Sequence, residues 1–306
     1  MGLTLNAEEI ARLDARTEGW IAGLQLAALS LQGHQDVQSF VTAFAGSNHY
    51  VMDYLLEEVL QRQPEALQHF LLQTAILERL SAPLCDVVTG RNDSQSVLAQ
   101  LQRSNLFLIP LDDERRWYRY HHLFAEVLQN RLRQNQTDQV NENHRRASHW
   151  YAANQLWAEA IHHLLAAHEF VAAAALVETQ ALDMALNHQF GLLQGWLQAM
   201  PSALQQSRPG LQMAAAWLAI GSGQVAGIER LFQQAEQLLV DDSTEAATTL
   251  RTELVAVRSL YAGFTQQHRQ AIDFARQALA LLRWLTRFRG WATSLKRTLS
   301  FHWGHS

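Results

Sequence analysis

An internal echo constrains the fold more than any other feature of the sequence. Leu231, Gln234, Ala235, Leu238 and Leu239 recur 43 positions later as Phe274, Gln277, Ala278, Leu281 and Leu282. Both sets fall at helical spacing, and each follows an aromatic-bearing helix, with Trp217 before one and Tyr261 before the other. Small residues at fixed places between large ones are what stacked helix pairs require, because neighbouring backbones must approach closely. The period exceeds the ~34 residues of a tetratricopeptide repeat, and the acidic Ser/Thr stretch 241–249 supplies the longer loop. From about Asn141 the chain therefore reads as a tetratricopeptide-like (TPR-like) superhelix. Its helices are expected at 141–153, 156–167, 169–187, 190–199, 211–221, 226–239, 245–263 and 268–285.

Upstream, apolar positions at helical spacing predict helices over 6–31 and 51–62. Pro64 is expected in the first turn of a further helix running to about Leu80, where its missing N–H costs nothing. Residues 81–133 change character. Ser81 is expected to cap a short helix with Pro83 in its first turn, ending near Gly90. Ser94 or Ser96 starts another, through Val97, Leu98 and Leu101. Leu106–Leu111 and Trp117–His121 read as two short strands around the charged turn Asp112-Asp113-Glu114-Arg115, and helix resumes over His122–Arg133. Three helices and a hairpin in about 75 residues suggest a winged helix.

Composition removes several function classes. With 48% apolar and 17% charged residues the chain can bury a core, and its 306 residues suffice for about two domains. The nearly apolar run Phe170–Val177 falls far short of the ~20 residues needed to cross a bilayer. No basic-then-apolar leader opens the sequence, so a cytoplasmic location with no membrane contact is expected. A single cysteine, Cys85, excludes a disulfide framework within the chain. Of 24 basic residues only Lys296 is a lysine, so no G-x-x-x-x-G-K-[ST] loop exists here. Residues 274–306 carry six basic and no acidic residues, on a chain of net charge −5. That basic stretch reads equally as a natural helix and as an aberrant tail, and the net-acidic remainder is unlike a phosphate-binding surface.

Three segments carry a family resemblance. Glu18-Gly19-Trp20-Ile21-Ala22-Gly23-Leu24-Gln25-Leu26-Ala27-Ala28-Leu29-Ser30 resembles the segment closing the ATPase module of the large MalT-like, LuxR-type transcriptional activators, signal-transduction ATPases with numerous domains. Tyr118-Arg119-Tyr120-His121-His122-Leu123-Phe124 resembles the end of their winged-helix domain. Arg145-Arg146-Ala147, Trp150-Tyr151 and Ala158-Glu159-Ala160-Ile161 resemble the start of their helical arm. The resemblance implies a mainly α chain of three parts: ATPase lid helices over 1–50, a winged helix with a small β-hairpin over 51–140, and a TPR-like sensor arm over 141–306. Measured against the family, the chain lacks both the phosphate-binding loop and the C-terminal DNA-binding domain, and so reads as an internal fragment of a bacterial regulator. No cofactor is expected in this chain by itself, ATP or ADP being implied for the full-length family.

The resemblance also nominates residues. His121 stands where related ATPases place a histidine against the β-phosphate in the resting state, and an imidazole can donate to phosphate. Trp20, Ile21 and Gln25 occupy the lid position near the adenine. On the arm, an inducer small molecule or regulatory protein is the expected partner, with self-association, and Trp150, Trp157, Trp196 and Trp217 are candidate groove contacts. DNA would be reached only through a domain outside this sequence. The 14 histidines offer no H-E-x-x-H and no i, i+4 pair, so arm histidines are expected to line a groove rather than bind metal. Cys85, among Leu84, Val87 and Val88, reads as buried and inert. No nucleophile motif appears, and no enzymatic activity is expected. The presumptive recognition helix carries only Arg103, which suits an intramolecular clamp better than a DNA reader. The alternative to the regulator fragment is a stand-alone TPR-like adaptor with no role in regulating DNA.

Overall fold

The computed structural model describes residues 55–282 apart from 105, 136 and 225, together with Glu8 and Ala11. The expected lid helix with Trp20, Ile21 and Gln25, and the basic stretch past 282, lie outside those residues. The described chain is mainly α with one small antiparallel sheet. It divides into two compact units between Leu156 and Trp157.

The first unit opens with a short π-helix, Leu55–Leu60, where the Gln61 amide reaches the Leu56 carbonyl at 2.9 Å. Helix α1 spans Glu65–Thr74, with Pro64 as its N-cap residue rather than within its first turn. It does not continue to Leu80 as expected. Leu80 instead exchanges both backbone hydrogen bonds with Tyr118, at 2.8 and 2.9 Å, as a one-residue strand. Extended backbone there requires the helix to stop. Its final carbonyls are closed by side chains, Gln129 donating to Ala75 at 3.2 Å and Asn143 to Gln73 at 3.4 Å.

Helix α2, Ala82–Thr89, carries Pro83 in its first turn and ends at Gly90, whose φ of +71° is the left-handed conformation glycine adopts without strain. Ser81 holds the N-cap backbone position, yet its buried hydroxyl makes no capping bond, contrary to expectation. Helix α3, Ser94–Arg103, starts where the Asp86 carboxylate accepts the Ser94 amide at 3.0 Å. Strands β1 (Leu108–Pro110) and β2 (Tyr118–Tyr120) pair antiparallel, with Pro110 opposite Tyr118. Proline costs no ladder bond at this place, because the Tyr118 amide and carbonyl already serve Leu80. Helices α4 (His122–Asn135) and α5 (Thr137–Ala153) complete the unit, and the anticipated domain division at residue 140 falls inside α5. Phe70, Leu71, Leu84, Leu98, Leu101, Phe124 and Leu128 form its fully buried centre, each contributing about 1.5–3 kcal/mol as an upper bound.

The second unit is helical throughout its described residues: α6 (Trp157–Ala166), α7 (Phe170–Leu186), α8 (Phe190–Ala199), α9 (Ser202–Ser207), α10 (Pro209–Gly221), α11 (Ile228–Leu239), α12 (Glu245–Phe264) and α13 (His268–Leu282). The short α9 has no counterpart in the sequence reading, since it is polar and buries no residue. Helix α10 is apolar on nearly all sides because it lines two cores. Leu211 and Ala214 join Ile161, Ala173, Val177, Leu193 and Trp196, while Met213, Ala216 and Trp217 join Ile228, Phe232, Leu254 and Val257. The echoed alanines, Ala235 and Ala278, are both fully buried. Ala278 meets Ala256 across the α12–α13 pair, the close approach the echo predicted.

Candidate functional site

His121 occupies the junction between β2 and α4. Its carbonyl accepts the Ala125 amide at 2.9 Å, the first bond of α4, which makes His121 the N-cap residue. Its Nδ1 accepts the Leu123 amide at 3.3 Å, the bond a serine or aspartate cap usually makes. An accepting Nδ1 fixes the tautomer with hydrogen on Nε2, the form that presents a donor. The ring stacks on half-buried His122, with centroids 4.7 Å apart and planes 21° apart, and meets the Phe107 ring edge-on at 6.0 Å. His121 is 5% exposed.

The neighbouring interior also contains polar groups. The Tyr120 hydroxyl shares a 2.7 Å hydrogen bond with the Thr74 hydroxyl, and burial pushes the Tyr120 phenol well above its ordinary range. Cys85 is fully buried, and burial followed by the charge of Asp86 pushes its thiol upward, as an inert cysteine requires.

The face of α3 that would enter a DNA groove is polar and nearly neutral. Gln95, Ser96, Gln100 and Arg103 are exposed on it. In the wing, Arg116 pairs with Glu114, and the Asp112 carboxylate accepts the amides of Arg116 and Trp117 at 2.7 and 3.3 Å. The acidic residues thus hold the turn and offset the arginines. The family-like Arg146 donates to the Val88 carbonyl at the end of α2 and to Glu142 at 2.9 Å, while Ala147 is fully buried. Burial and capping account for that motif without a ligand.

Of the four candidate tryptophans, Trp150 belongs to the first unit and Trp157, Trp196 and Trp217 to the second. Trp196 and Trp217 are each 6% exposed and face the two cores. Trp150 is half-buried against Trp117 and Tyr151 in the first unit, and Trp157 is half-buried at the start of α6. The Trp217 indole donates to Glu253 at 2.7 Å, a partner 36 residues away with no local sequence signal. Burial raises the Glu253 carboxyl above its ordinary value, and the indole bond offsets part of that rise.

The arm histidines include residues that build turns. His168 and His188 adopt φ of +59° and +56°, each followed two residues later by a phenylalanine whose ring it meets edge-on, Phe170 at 5.6 Å and Phe190 at 5.8 Å. The repeated His-Glu-Phe and His-Gln-Phe is legible in the sequence and marks the starts of α7 and α8. His163 is buried. Among the described residues no group of three or more His, Cys, Asp or Glu could hold a metal ion, and no helix is long and apolar enough to cross a membrane.

Within the first unit, helices α1 to α4, the one-residue strand at Leu80 and the charged hairpin make a winged-helix domain, carried in one chain with a set of paired helices. Residues 56–140 match the family described as the MalT winged helix domain. The chain is 31% identical over 280 residues to the HTH-type transcriptional regulator MalT of Serratia proteamaculans, covering 91% of this chain and 31% of that protein. The MalT of Klebsiella pneumoniae is 32% identical over 257 residues, or 83% of this chain and 28% of that one. The serine/threonine-protein kinase PknK of Mycobacterium tuberculosis is 30% identical over 286 residues, again 91% of this chain but 25% of that protein. The chain is MalT-like. It spans between a quarter and a third of the length of these relatives.

Proposed function

We propose that this chain is the clamp and sensor part of a MalT-like transcriptional regulator. The winged helix holds a resting, ADP-bound state of an ATPase module encoded outside this sequence, and the paired helices take an inducer or partner protein that favours an open, self-associating state. The observation that carries this is a MalT-type winged helix whose α3 face is polar and bears Arg103 as its one charged residue. Such a face suits protein contact better than the phosphate backbone. A second observation supports it: relatives named as a kinase and as transcriptional regulators share this same segment, which suits a control element more than an output domain. The mechanism is a population shift, so inducer and nucleotide must each bind the two states with different affinity.

The test is a chimaera in which this chain replaces the matching segment of the Serratia regulator. ADP should keep it monomeric, and His121→Ala should loosen ADP and promote self-association. Identical self-association in every nucleotide state would end the clamp reading. Sequencing the DNA flanking this reading frame provides a separate check. An upstream G-x-x-x-x-G-K-[ST] and a downstream helix-turn-helix are expected. Flanks encoding neither would favour a stand-alone adaptor, a reading supported by Val171, Leu186 and Leu192, which α7 and α8 leave exposed.

A further inference from the structure

We propose that Phe107 is a positioning residue for His121, holding the imidazole in the single tautomer and orientation that the clamp reading needs. Phe107 has φ of +54°, a left-handed backbone that strains a bulky residue. Elsewhere in the described chain such residues have a local reason. Gln155, His168, His188 and Gln266 each close a helix through paired amide-to-carbonyl bonds, and Arg115 lies in the wing turn. Phe107 does neither, lying between α3 and β1.

Its conformation serves His121 in two ways. The Phe107 carbonyl accepts the His121 amide at 2.7 Å, immediately beyond the Leu108–Tyr120 pair, and so extends the hairpin by one bond to the histidine. The Phe107 ring stands edge-on to the imidazole at 6.0 Å and lies against the Phe124 ring at 5.2 Å, one turn into the helix that His121 caps. Backbone and ring of one residue thus hold His121 by its amide and its imidazole, and brace Phe124 next to the Leu123 amide that His121 Nδ1 accepts. Flipping the imidazole would place Nε2 or a ring carbon opposite the Leu123 amide and lose that bond.

Nitrogen-15 NMR of the side-chain imidazoles in the full chain, without nucleotide, reads this directly. Wild type should show His121 as one tautomer, with Nδ1 unprotonated and Nε2 carrying hydrogen. Phe107→Leu, which keeps bulk, and Phe107→Gly, which relieves the backbone, should both bring the two ring-nitrogen shifts toward each other as tautomers and rotamers average. A wild-type His121 protonated on Nδ1 overturns the proposal without any variant. A single unchanged tautomer in either folded variant overturns it too. This proposal rests on the clamp reading, but the two fail separately: the tautomer is measured without nucleotide, whereas the clamp is tested by ADP-dependent association.

Discussion

Gln155 shows what a helix end costs when it lacks glycine. It is exposed with φ of +61°, and its amide and that of Leu156 reach back to Ala152 and Tyr151 at 3.1 and 2.9 Å. Gln155→Gly should therefore stabilise the protein by roughly 0.5–1 kcal/mol, the strain relieved less the added freedom of the unfolded chain. Thermal melts measure this, and a lower midpoint would show that the side chain contributes something the backbone geometry does not reveal. Glu253 poses the complementary problem. Its folded pKa is raised above its unfolded value, so between the two the native state binds more protons than the unfolded chain. Stability attributable to this group is therefore full below the unfolded pKa and declines as pH rises toward the folded one. Glu253→Gln keeps an oxygen for the Trp217 indole and has no charge to bury. It should raise the melting midpoint near neutral pH and leave it unchanged near pH 4, the difference from wild type growing with pH. A constant difference across that range would mean that ionisation is irrelevant there.

At the scale of helices, close approach is bought with glycine at the two ends of α10. A Cβ on Gly221 would lie 2.0 Å from the Phe190 ring, and one on Gly210 would lie 2.6 Å from the Glu178 side chain. Glu178 is committed there, since Arg208 grips it through two bonds at 2.6 and 2.9 Å. Gly221→Ala should destabilise the helical unit by about 1–3 kcal/mol through overpacking, despite the better helix propensity of alanine. Adding Phe190→Leu should recover much of that loss in a double-mutant cycle followed by denaturant melts. Additive effects would show that the two residues are not in contact. The α12–α13 pair uses a milder version of the same device, with Ala256, Ser259 and Ala262 facing Ala271, Ala275 and Ala278, all buried, and the Ser259 hydroxyl donating to the Ala271 carbonyl at 2.8 Å.

For the molecule as a whole, the winged helix has the shape of a DNA reader without the charge of one. Arg103→Ala and Arg119→Ala should leave fluorescence anisotropy with duplex DNA unchanged at ~150 mM salt, because a nearly neutral face releases few counterions. A clear loss of binding in either variant would reassign α3 and the wing to DNA contact.

Much of this was legible from residue order. Helix periodicity located the arm helices to within a few residues, because amphipathic spacing and Pro or Gly breaks are local properties. The 43-residue echo predicted a close-packed pair, and the hairpin followed from two short strands around a charged turn. Helix α1 ended six residues early because Leu80 is claimed by Tyr118, a partner 38 positions on, and local propensity carries no record of it. Ser81 has the residue type and backbone of a cap, whereas the bonds at neighbouring helix starts come from Asp86 and His121, set there by packing. Trp196 and Trp217 are groove candidates for which core packing is the more common role of such residues, and their neighbours on α7, α11 and α12 place them in the cores. Sequence by itself determined most of the helical segments, though not α9 or the end of α1, and which family they resemble. Tertiary structure decided which polar groups are buried, which histidines turn the chain, and which one is held in a single orientation, because each of those depends on partners distant in sequence.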